Sequence, residues 1–255
     1  MQTRLMIVVI GVLLTLAAAA SRADEAAIRQ AFKAKLPHAT VETVRPTPFG
    51  GIYEIVFVLP NGPKIAYTDD KASFIFVHGE LYDLRAQTPQ NLTQGRQAEL
   101  TERVAAQRAK LAAEILPQST ELAIKRVRGN GKRVLYTFED PNCGFCRKFQ
   151  QELSKVTDIT IYTFLFPILS PNSIEKSKAV WCSKDRGKAW DNLMTTGAVP
   201  KNDGKCENPL AKNHELAQRF GVTGTPAVYL ADGRQIGGYI PAEKLEQAFQ
   251  TASSK

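Results

Sequence analysis

The sequence predicts an α+β protein of two domains joined by a helix, and three observations lead to this fold class. Between residues 41 and 84, short β-rich runs alternate with Gly, Asn and Asp, which is typical of a small antiparallel sheet. From Gln97 to Leu116 the chain contains neither Gly nor Pro and places apolar residues at helical spacing. After Pro117, strand and helix patterns alternate, beginning with a β-α-β unit.

The first 23 residues have the pattern of a cleaved secretory signal. Arg4 precedes an apolar run from Leu5 to Ala20, and the small-x-small triplet at residues 21–23 follows. An uncleaved membrane anchor is the alternative, because the apolar run approaches the length that spans a bilayer. We expect cleavage and export to a compartment where disulfides persist.

Residues 24–88 are predicted to form the N-terminal domain. Asp24 to Leu36 carries apolar residues at helical spacing and stops at Pro37, which indicates a short amphipathic helix. Three β-rich runs separated by tight turns follow: Ile52 to Leu59, Ile65 to Thr68 and Phe74 to Val77. A unit of about 60 residues buries little apolar surface by itself, so we expect it to self-associate.

Residues 89–116 are predicted to contain a linker helix. Apolar residues recur at spacings of four, seven and four from Leu100 to Ile115, and Pro117 ends the pattern. Such a helix would extend about 30 Å and could act as a stiff spacer. The pattern fits an ordinary surface helix packed on one domain equally well, and the sequence leaves both interpretations open.

Residues 117–255 are predicted to form the C-terminal domain. Its predicted elements are strands at Leu122–Val127 and Val134–Phe138, a helix at Cys143–Leu153, a strand at Ile159–Phe166, helices at Ser173–Asp185, Gly187–Met194 and Leu210–Phe220, a hairpin of Ala227–Leu230 with Gln235–Tyr239, and a helix from Pro241 to Phe249. A β-α-β start, a helical insertion, a hairpin and a closing helix are the element order of a thioredoxin-like domain.

The four cysteines form two unlike pairs, and the close pair Cys143-Gly144-Phe145-Cys146 carries the chemical signal. It follows a strand and begins a helix, which is the arrangement of a redox-active dithiol, because a helix N-terminus stabilises a thiolate. We predict that Cys143 is the catalytic nucleophile, with its sulfur facing solvent, and that the more buried Cys146 is the resolving thiol. Gly144 would let a substrate chain approach closely, and Phe145 would add an apolar surface beside the sulfur.

The distant pair, Cys182 and Cys206, is predicted to form a structural disulfide. A zinc ribbon is the alternative for four cysteines, but it needs a second close pair, and the three histidines add no ligand spacing. The disulfide would close a loop of about 25 residues, worth roughly 3 to 3.5 kcal/mol in the chain-entropy model. We predict no metal and no cofactor.

A third site element lies in Gly221 to Val228, where Thr225 and Pro226 precede an apolar strand. A Thr-Pro bond at the start of a strand is a candidate cis peptide, although most X-Pro bonds in folded proteins are trans. The signal is weak alone and strong when it is joined to an upstream C-x-x-C helix.

The chain resembles bacterial periplasmic disulfide isomerases of the DsbC type over nearly all of residues 24–255. The stretches that carry the resemblance are Phe138–Cys146, Ala179–Asp185, Gly221–Leu230 and Gly237–Tyr239. The resemblance implies a V-shaped homodimer, in which the N-terminal domain is the dimerisation domain and the thioredoxin-like domains face a shared apolar cleft.

The same resemblance implies how the site works and with which partners. The Thr225–Pro226 bond would be cis and lie against the dithiol, where the Thr225 backbone can pair with a substrate strand. Thr225, Pro226, Gly144 and Phe145 are then the substrate-binding residues. The clients would be misoxidised or unfolded exported proteins in the periplasm, and a membrane thiol reductase of the DsbD type would keep the pair reduced.

One departure concerns proton transfer. Thioredoxin has a buried acid six positions before its first cysteine, and the matching residue here is Thr137. Glu139 and Asp140 are nearer to the cysteines, and we expect them to be more exposed. Proton transfer to Cys146 would then use water or another group.

Other functions are alternatives to isomerisation. A DsbG-like reductase or sulfenic-acid reductase shares the two-domain plan but usually carries Pro in the dipeptide where this chain has Gly144 and Phe145. A DsbA-type oxidant lacks the N-terminal sheet domain, whereas a holdase chaperone would explain that extra domain. The formal net charge of +8 is modest and its basic residues lack aromatic interleaving, so we predict no nucleic-acid binding.

Overall fold

The structure is a computed structural model that describes residues 24–59 and 62–253. The chain divides into two compact units, with the boundary between Glu102 and Arg103. The predicted signal, residues 1–23, lies outside the described residues. Among the residues that are described, no helix combines the length and the apolarity needed to cross a membrane.

The N-terminal unit is a helix packed on an antiparallel sheet. Helix α1 covers residues 24–35, close to the predicted bounds. Strands β1 (Thr40–Pro46), β2 (Tyr53–Leu59), β3 (Gly62–Thr68) and β4 (Phe76–Val77) lie in the spatial order β1-β2-β3-β4. A small second ladder joins β5 (Tyr82–Asp83) to β6 (Gln90–Asn91). The fully or nearly fully buried core contains two helix residues and three strand residues: Ile28, Phe32, Ile55, Phe57 and Ala66.

The sequence patterns predict β2, β3 and β4 but miss β1. The residues of β1 alternate between half-buried and exposed positions, and Pro46 closes the strand, so no continuous apolar run marks it. It pairs antiparallel with β2 at one edge of the sheet.

Helix α2 (Leu92–Ile115) begins before the predicted start at Gln97. The side-chain oxygen of Asn91 accepts the backbone N–H of Gln94 at 2.8 Å, and this cap offsets the cost of Gly95 in the first turn. The helix ends at Ile115, one residue before the predicted end at Leu116, and a 3₁₀ segment (Leu116–Leu122) follows directly.

The C-terminal unit is a five-stranded sheet covered by helices on both faces. Its elements are β7 (Ile124–Arg128), β8 (Arg133–Glu139), α3 (Gly144–Leu153), β9 (Ile159–Leu165), α4 (Pro171–Trp181), α5 (Arg186–Thr196), α6 (Leu210–Phe220), β10 (Ala227–Leu230), β11 (Gln235–Gly237) and α7 (Ala242–Ser253). The spatial order is β11-β10-β8-β9-β7, in which β8 and β9 are parallel and the other neighbours antiparallel. The predicted β-α-β unit, helical insertion, hairpin and closing helix are all present.

Alternation along β8 separates two core layers. Tyr136 and Phe138 face a layer that includes α6 and the end of α2, whereas Leu135 faces a layer that includes α3 and α7. Phe138 is fully buried among four aromatic rings, with centroids 4.9 to 6.3 Å away: Phe164, Phe166, Phe220 and Tyr229. This packing holds the end of β8, from which the chain turns into the C-x-x-C helix.

The C-terminal part of α2 packs on this unit. Leu111 and Ile115 lie against the first core layer, and Ala112 is fully buried in it. The β10–β11 turn also approaches the helix, because a Cβ atom added to Gly233 would lie 1.9 Å from the carbonyl oxygen of Ala109. Only glycine fits this turn, which also has a φ of +78°.

Candidate active site

Cys143 occupies the N-cap of helix α3, at the end of the turn that leaves β8. Its backbone N–H donates to the carbonyl oxygen of Asp140 at 3.0 Å, and its sulfur accepts the backbone N–H of Cys146 at 3.2 Å. Unpaired N–H groups at a helix N-terminus favour negative charge. The local sequence thus places the sulfur where a thiolate is stabilised.

The Thr225–Pro226 segment covers this sulfur. The Thr225–Pro226 bond is cis, and the Cys143 thiol donates a hydrogen bond to the carbonyl oxygen of Thr225 at 3.2 Å. Pairing of Ala227 on β10 with Phe138 on β8 brings Thr225 beside Cys143, although Thr225 and Cys143 are 82 residues apart. Cys143 is only 4% exposed, so the prediction that its sulfur faces solvent is wrong. A distant loop buries it, and no local pattern contains that information.

The two thiols differ in acidity. A hydrogen bond from the Cys146 side chain is the largest cause that lowers the pKa of Cys143 to about 6. Burial opposes this shift, whereas the Thr225 side chain and the backbone N–H groups of Cys146 and Phe145 add to it. Burial, the hydrogen bond with Cys143 and the charge of Glu139 raise the pKa of Cys146. At neutral pH Cys143 is therefore ionised, while Cys146 carries its proton.

Glu139 is fully buried at the end of β8, so its predicted exposure is wrong. Its carboxylate accepts two hydrogen bonds from the Gln150 amide, at 2.8 and 2.9 Å, and one from the Thr137 hydroxyl at 2.7 Å. Burial raises the pKa of Glu139, and Arg126, Thr137 and Gln150 oppose that rise. Strand β8 is paired on both sides and buried through its last residue, which explains why an acid at its end is enclosed. In the sequence, the predicted strand Val134–Phe138 runs directly into Glu139, and this continuity is the signal that indicates its burial.

Asp140 is also fully buried, against prediction, and holds the turn before α3. One carboxylate oxygen accepts the backbone N–H of Asn142 at 2.7 Å and the hydroxyl of Ser173 at 2.8 Å. The other accepts the backbone N–H groups of Ile168 and Leu169 at 2.8 and 2.9 Å. One buried carboxylate thus fixes both this turn and the segment after β9, a role that no local sequence pattern predicts.

An apolar rim lies beside the dithiol. Phe145 is 60% exposed, and its ring centroid lies 6.5 Å from the ring centroid of Tyr239. The Lys148 ammonium lies 5.6 Å from the centroid of the Phe145 ring. A Cβ atom added to Gly144 would meet open space, so the backbone there is accessible. The residues predicted to bind substrate therefore lie around the thiols, and Tyr239 joins them.

Cys182 and Cys206 form a disulfide with a Cα–Cα distance of 5.7 Å. Cys182 is the C-cap of α4, and Cys206 lies in the loop between α5 and α6. The bond ties this loop to α4, within the helical insertion. The four cysteines are thus a free pair at the start of α3 and a bonded pair elsewhere.

Comparisons with known proteins identify both parts of the chain. The family described as "Disulfide bond isomerase protein N-terminal domain" matches residues 19–94, and the family described as "Thioredoxin-like domain" matches residues 120–253. The probable thiol:disulfide interchange protein DsbC of Bordetella pertussis is 35% identical over 220 residues, 86% of this chain and 72% of that protein. The thiol:disulfide interchange protein DsbC of Escherichia coli K12 is 30% identical over 242 residues, 92% of each chain.

A solved structure supports the same assignment. The crystal structure of a disulfide interchange protein from Neisseria gonorrhoeae is 41% identical, with a TM-score of 0.50, and the match covers 52% of this chain and 96% of that one. Identity of this size over most of the relatives' length shows common family membership. The chain therefore belongs to the DsbC family of thiol:disulfide interchange proteins and is a thiol-disulfide isomerase.

Proposed function

We propose that Cys143 carries out the isomerisation as a thiolate, with Cys146 as its resolving partner. The Cys143 sulfur attacks a wrong disulfide in an exported client and forms a mixed disulfide, and one client sulfur leaves as a thiolate. A second client thiol then attacks the mixed disulfide and leaves the client with a new pairing. If no client thiol arrives, Cys146 attacks instead and releases the client reduced.

The difference in acidity within the pair is the observation that carries this assignment. The thiolate is the nucleophile in disulfide exchange, and only Cys143 is ionised at neutral pH, with its pKa lowered to about 6. Cys146 is fully buried and keeps its proton, so it does not compete for the first attack. It stands one helical turn from the sulfur that it must reach.

The carbonyl oxygen of Thr225 supports a role in binding the client. It accepts the Cys143 thiol at 3.2 Å, and an ionised Cys143 has no proton to donate. Ionisation therefore frees this acceptor for a backbone N–H of an extended client segment. The exposed rings of Phe145 and Tyr239 offer an apolar surface next to it. We expect Thr225, Pro226, Gly144 and Phe145 to contact the client.

Self-association of the N-terminal unit into a homodimer is supported by its surface. Large apolar side chains are exposed on and around edge strand β4 and in the β5 region: Phe74, Ile75, Phe76, Tyr82 and Leu84. An unpaired strand edge with an apolar surface is a site for pairing with another chain. A homodimer would cover both features.

The dimer can be tested by sedimentation equilibrium. Phe76→Asp combined with Leu84→Asp should give a monomer at micromolar concentration, while Cys143 still reacts with a thiol reagent. Val127→Asp, which changes an exposed apolar residue in the other unit, is the matched control and should leave the assembly unchanged. A wild-type monomer would contradict the proposal.

The periplasm is the proposed compartment, because a stable structural disulfide fits an oxidising space and residues 1–23 have the pattern of a secretory signal. Each time Cys146 resolves a mixed disulfide, the pair becomes oxidised and needs two electrons to act again. A membrane thiol reductase of the DsbD type would supply them.

Refolding of a multi-disulfide client trapped in scrambled form tests the function. Reduced wild-type protein should accelerate recovery of the native pairing, and Cys143→Ser should abolish the acceleration. Cys146→Ser should retain part of it and accumulate mixed disulfide, because client thiols can still resolve the intermediate. Equal acceleration by Cys143→Ser and wild type would refute the assignment and would favour a holdase.

A further inference from the structure

The loop between strand β11 and helix α7 passes directly beside the active site. Gly237, at the end of β11, pairs with Val228 of β10, which follows the cis Pro226 closely. A Cβ atom added to Gly238 would lie 3.1 Å from the carbonyl oxygen of Pro226. Gly237 has a φ of +118°, a conformation that residues with a side chain rarely adopt. Two glycines therefore let this loop run against the segment that covers the Cys143 sulfur.

Contacts on both sides of Tyr239 fix its place in this loop. Ile236 and Ile240 pack against the core layer that includes α3 and α7. The backbone N–H of Ala242, at the start of α7, donates to the Glu152 carboxylate on α3 at 2.9 Å. The loop is thus anchored to the helix that begins at the dithiol, and the fold sets the position of Tyr239 relative to that helix.

The Tyr239 ring lies against the Phe145 ring, and both rings are accessible to solvent. Their centroids are 6.5 Å apart, at an interplanar angle of 46°. Phe145 is 60% exposed and Tyr239 is 41% exposed. A single exposed apolar residue needs no explanation, but here two aromatic side chains from separate elements meet beside a reactive sulfur. A third apolar group that packs on both rings buries more surface than it would on either ring alone.

We propose that Tyr239 is a specificity-determining residue: its ring and the Phe145 ring receive a large apolar side chain that neighbours the client's reacting cysteine. This inference rests on the proposed function, because it names the client feature that the same site recognises. The occupant is a client segment, since any disulfide that reaches Cys143 brings the neighbours of its own cysteine to this surface. Gly144 leaves that approach open, because a Cβ atom there would meet no other atom.

Such a preference directs the enzyme to wrong disulfides. Cysteine is among the most buried residue types, so in a native core its neighbours are commonly apolar. A correctly folded client hides these side chains, and the two rings then have nothing to contact. A cysteine whose large apolar neighbour reaches the rings belongs to a segment that has not been buried. Recognition of the neighbour therefore separates a misfolded client from a native one.

Peptide disulfides with nitrothiobenzoate measure this preference in the reduced full-length protein. Two short peptides with a central cysteine differ only in the residues on either side of it, which are leucine in one peptide and serine in the other. The Cys143 thiolate attacks the peptide sulfur and bonds to it, while the bond from that sulfur to nitrothiobenzoate breaks and nitrothiobenzoate leaves with the electron pair. Stopped-flow absorbance of the released nitrothiobenzoate gives the second-order rate constant for each peptide at neutral pH.

The wild-type protein should react about five- to twentyfold faster with the leucine peptide, which is the effect of burying part of an apolar side chain against two rings. Tyr239→Ser should lower this ratio to below about threefold, because only one ring remains. Tyr239→Phe keeps the ring and should keep the ratio. The ratio compares two peptides on the same protein, so a general loss of thiol reactivity cancels.

Two further variants test the position of the ring. Gly237→Ala retains Tyr239 but strains the backbone at a φ of +118°, so it should displace the ring and lower the ratio as Tyr239→Ser does. Val127→Ser is the matched control, because it removes an exposed apolar side chain from β7. Val127 pairs with Thr160 near the start of β9, whereas the dithiol lies beyond the other end of the sheet. This control should keep the wild-type ratio.

The outcomes separate this inference from the proposed function. If wild-type protein releases nitrothiobenzoate from neither peptide, Cys143 is not the nucleophile and both proposals fail. Equal wild-type rates with the two peptides, or a ratio in Tyr239→Ser as high as in Val127→Ser, would overturn the role of Tyr239 alone. If Tyr239→Ser does not fold, as judged by circular dichroism, Gly237→Ala decides, and a wild-type ratio in that variant overturns the inference.

Discussion

The acidity of Cys143 depends on its neighbouring thiol, and replacing Cys146 tests that dependence. The Cys146 side chain is the largest cause that lowers the pKa of Cys143 to about 6. A hydrogen bond to a charged group contributes about 1.5 to 3 kcal/mol, which corresponds to about 1 to 2 pKa units. Cys146→Ala should therefore raise the titration midpoint of Cys143 by about 1 to 2 pH units. At pH 7 the ionised fraction would fall from about 90% to between about 10% and 50%.

Ultraviolet absorbance of the thiolate against pH measures this midpoint, and the rate of alkylation by iodoacetamide checks it independently. Cys146→Ser is the matched control, because its hydroxyl can donate the same hydrogen bond and should keep the wild-type midpoint. If Cys146→Ala titrates together with wild type, the helix N-terminus and backbone N–H groups set the acidity by themselves, and the reasoning fails.

The same ionisation links the stability of the reduced protein to pH. The folded pKa of Cys143, about 6, lies below the ordinary value of 9.0, so the stabilisation is complete above about pH 9 and is lost as pH falls through about 6. At pH 7 it amounts to at most about 1.4 kcal/mol, since solvent screens part of the interaction. The oxidised protein has no thiolate, so the ionisation stabilises only the reduced form. At pH 7 the reduction potential should therefore be higher, by at most about 30 mV, than that of a pair in which Cys143 has its ordinary pKa. Equilibration with glutathione near pH 5 and near pH 7 measures how the reduction potential depends on pH. A dependence that corresponds to two protons per two electrons at both pH values would refute the prediction.

Three further predictions concern the surroundings of the pair. Replacing Cys182 and Cys206 together by Ala should lower the free energy of unfolding by about 3 kcal/mol in urea while Cys143 alkylation stays unchanged, because the bridge closes a loop outside the site; unchanged stability would contradict the entropic argument. Asp140→Ala should cost about 2 to 4 kcal/mol and slow alkylation, since four hydrogen bonds are lost; a fully active, equally stable variant would contradict it. Phe145→Ala should change stability by less than about 0.5 kcal/mol and slow mixed-disulfide formation with a peptide but not with dithionitrobenzoate; equal slowing of both would point to altered thiol chemistry.

Elements with strong local signals were predictable from the sequence. Helix α6 and strand β10 have the predicted bounds, Leu210–Phe220 and Ala227–Leu230. Gly221 ends the helix in the left-handed conformation, with a φ of 69°, as a C-terminal glycine should. The position of Cys143 at the start of α3 follows from equally local information, because the strand, the turn and the helix are contiguous.

Burial at the site was not predictable, because contacts distant in sequence create it. Thr225 reaches Cys143 across 82 residues, and Glu139 is enclosed by Gln150 of helix α3 and by pairing with Leu165 on strand β9. The sequence shows that residue 139 carries a carboxyl group, but it does not show which residues exclude water from that group. Strand β1 was missed because its apolar residues, Val41 and Val44, form no continuous run.

The Asp140 carboxylate couples two segments that are distant in sequence. It holds the turn before the reactive sulfur and, through the other oxygen, the backbone of Ile168 and Leu169, whose side chains are exposed and apolar. A change that displaces the backbone of Ile168 or Leu169 should therefore also disturb the turn that positions the Cys143 sulfur, although these residues lie beyond β9 and not in the C-x-x-C motif.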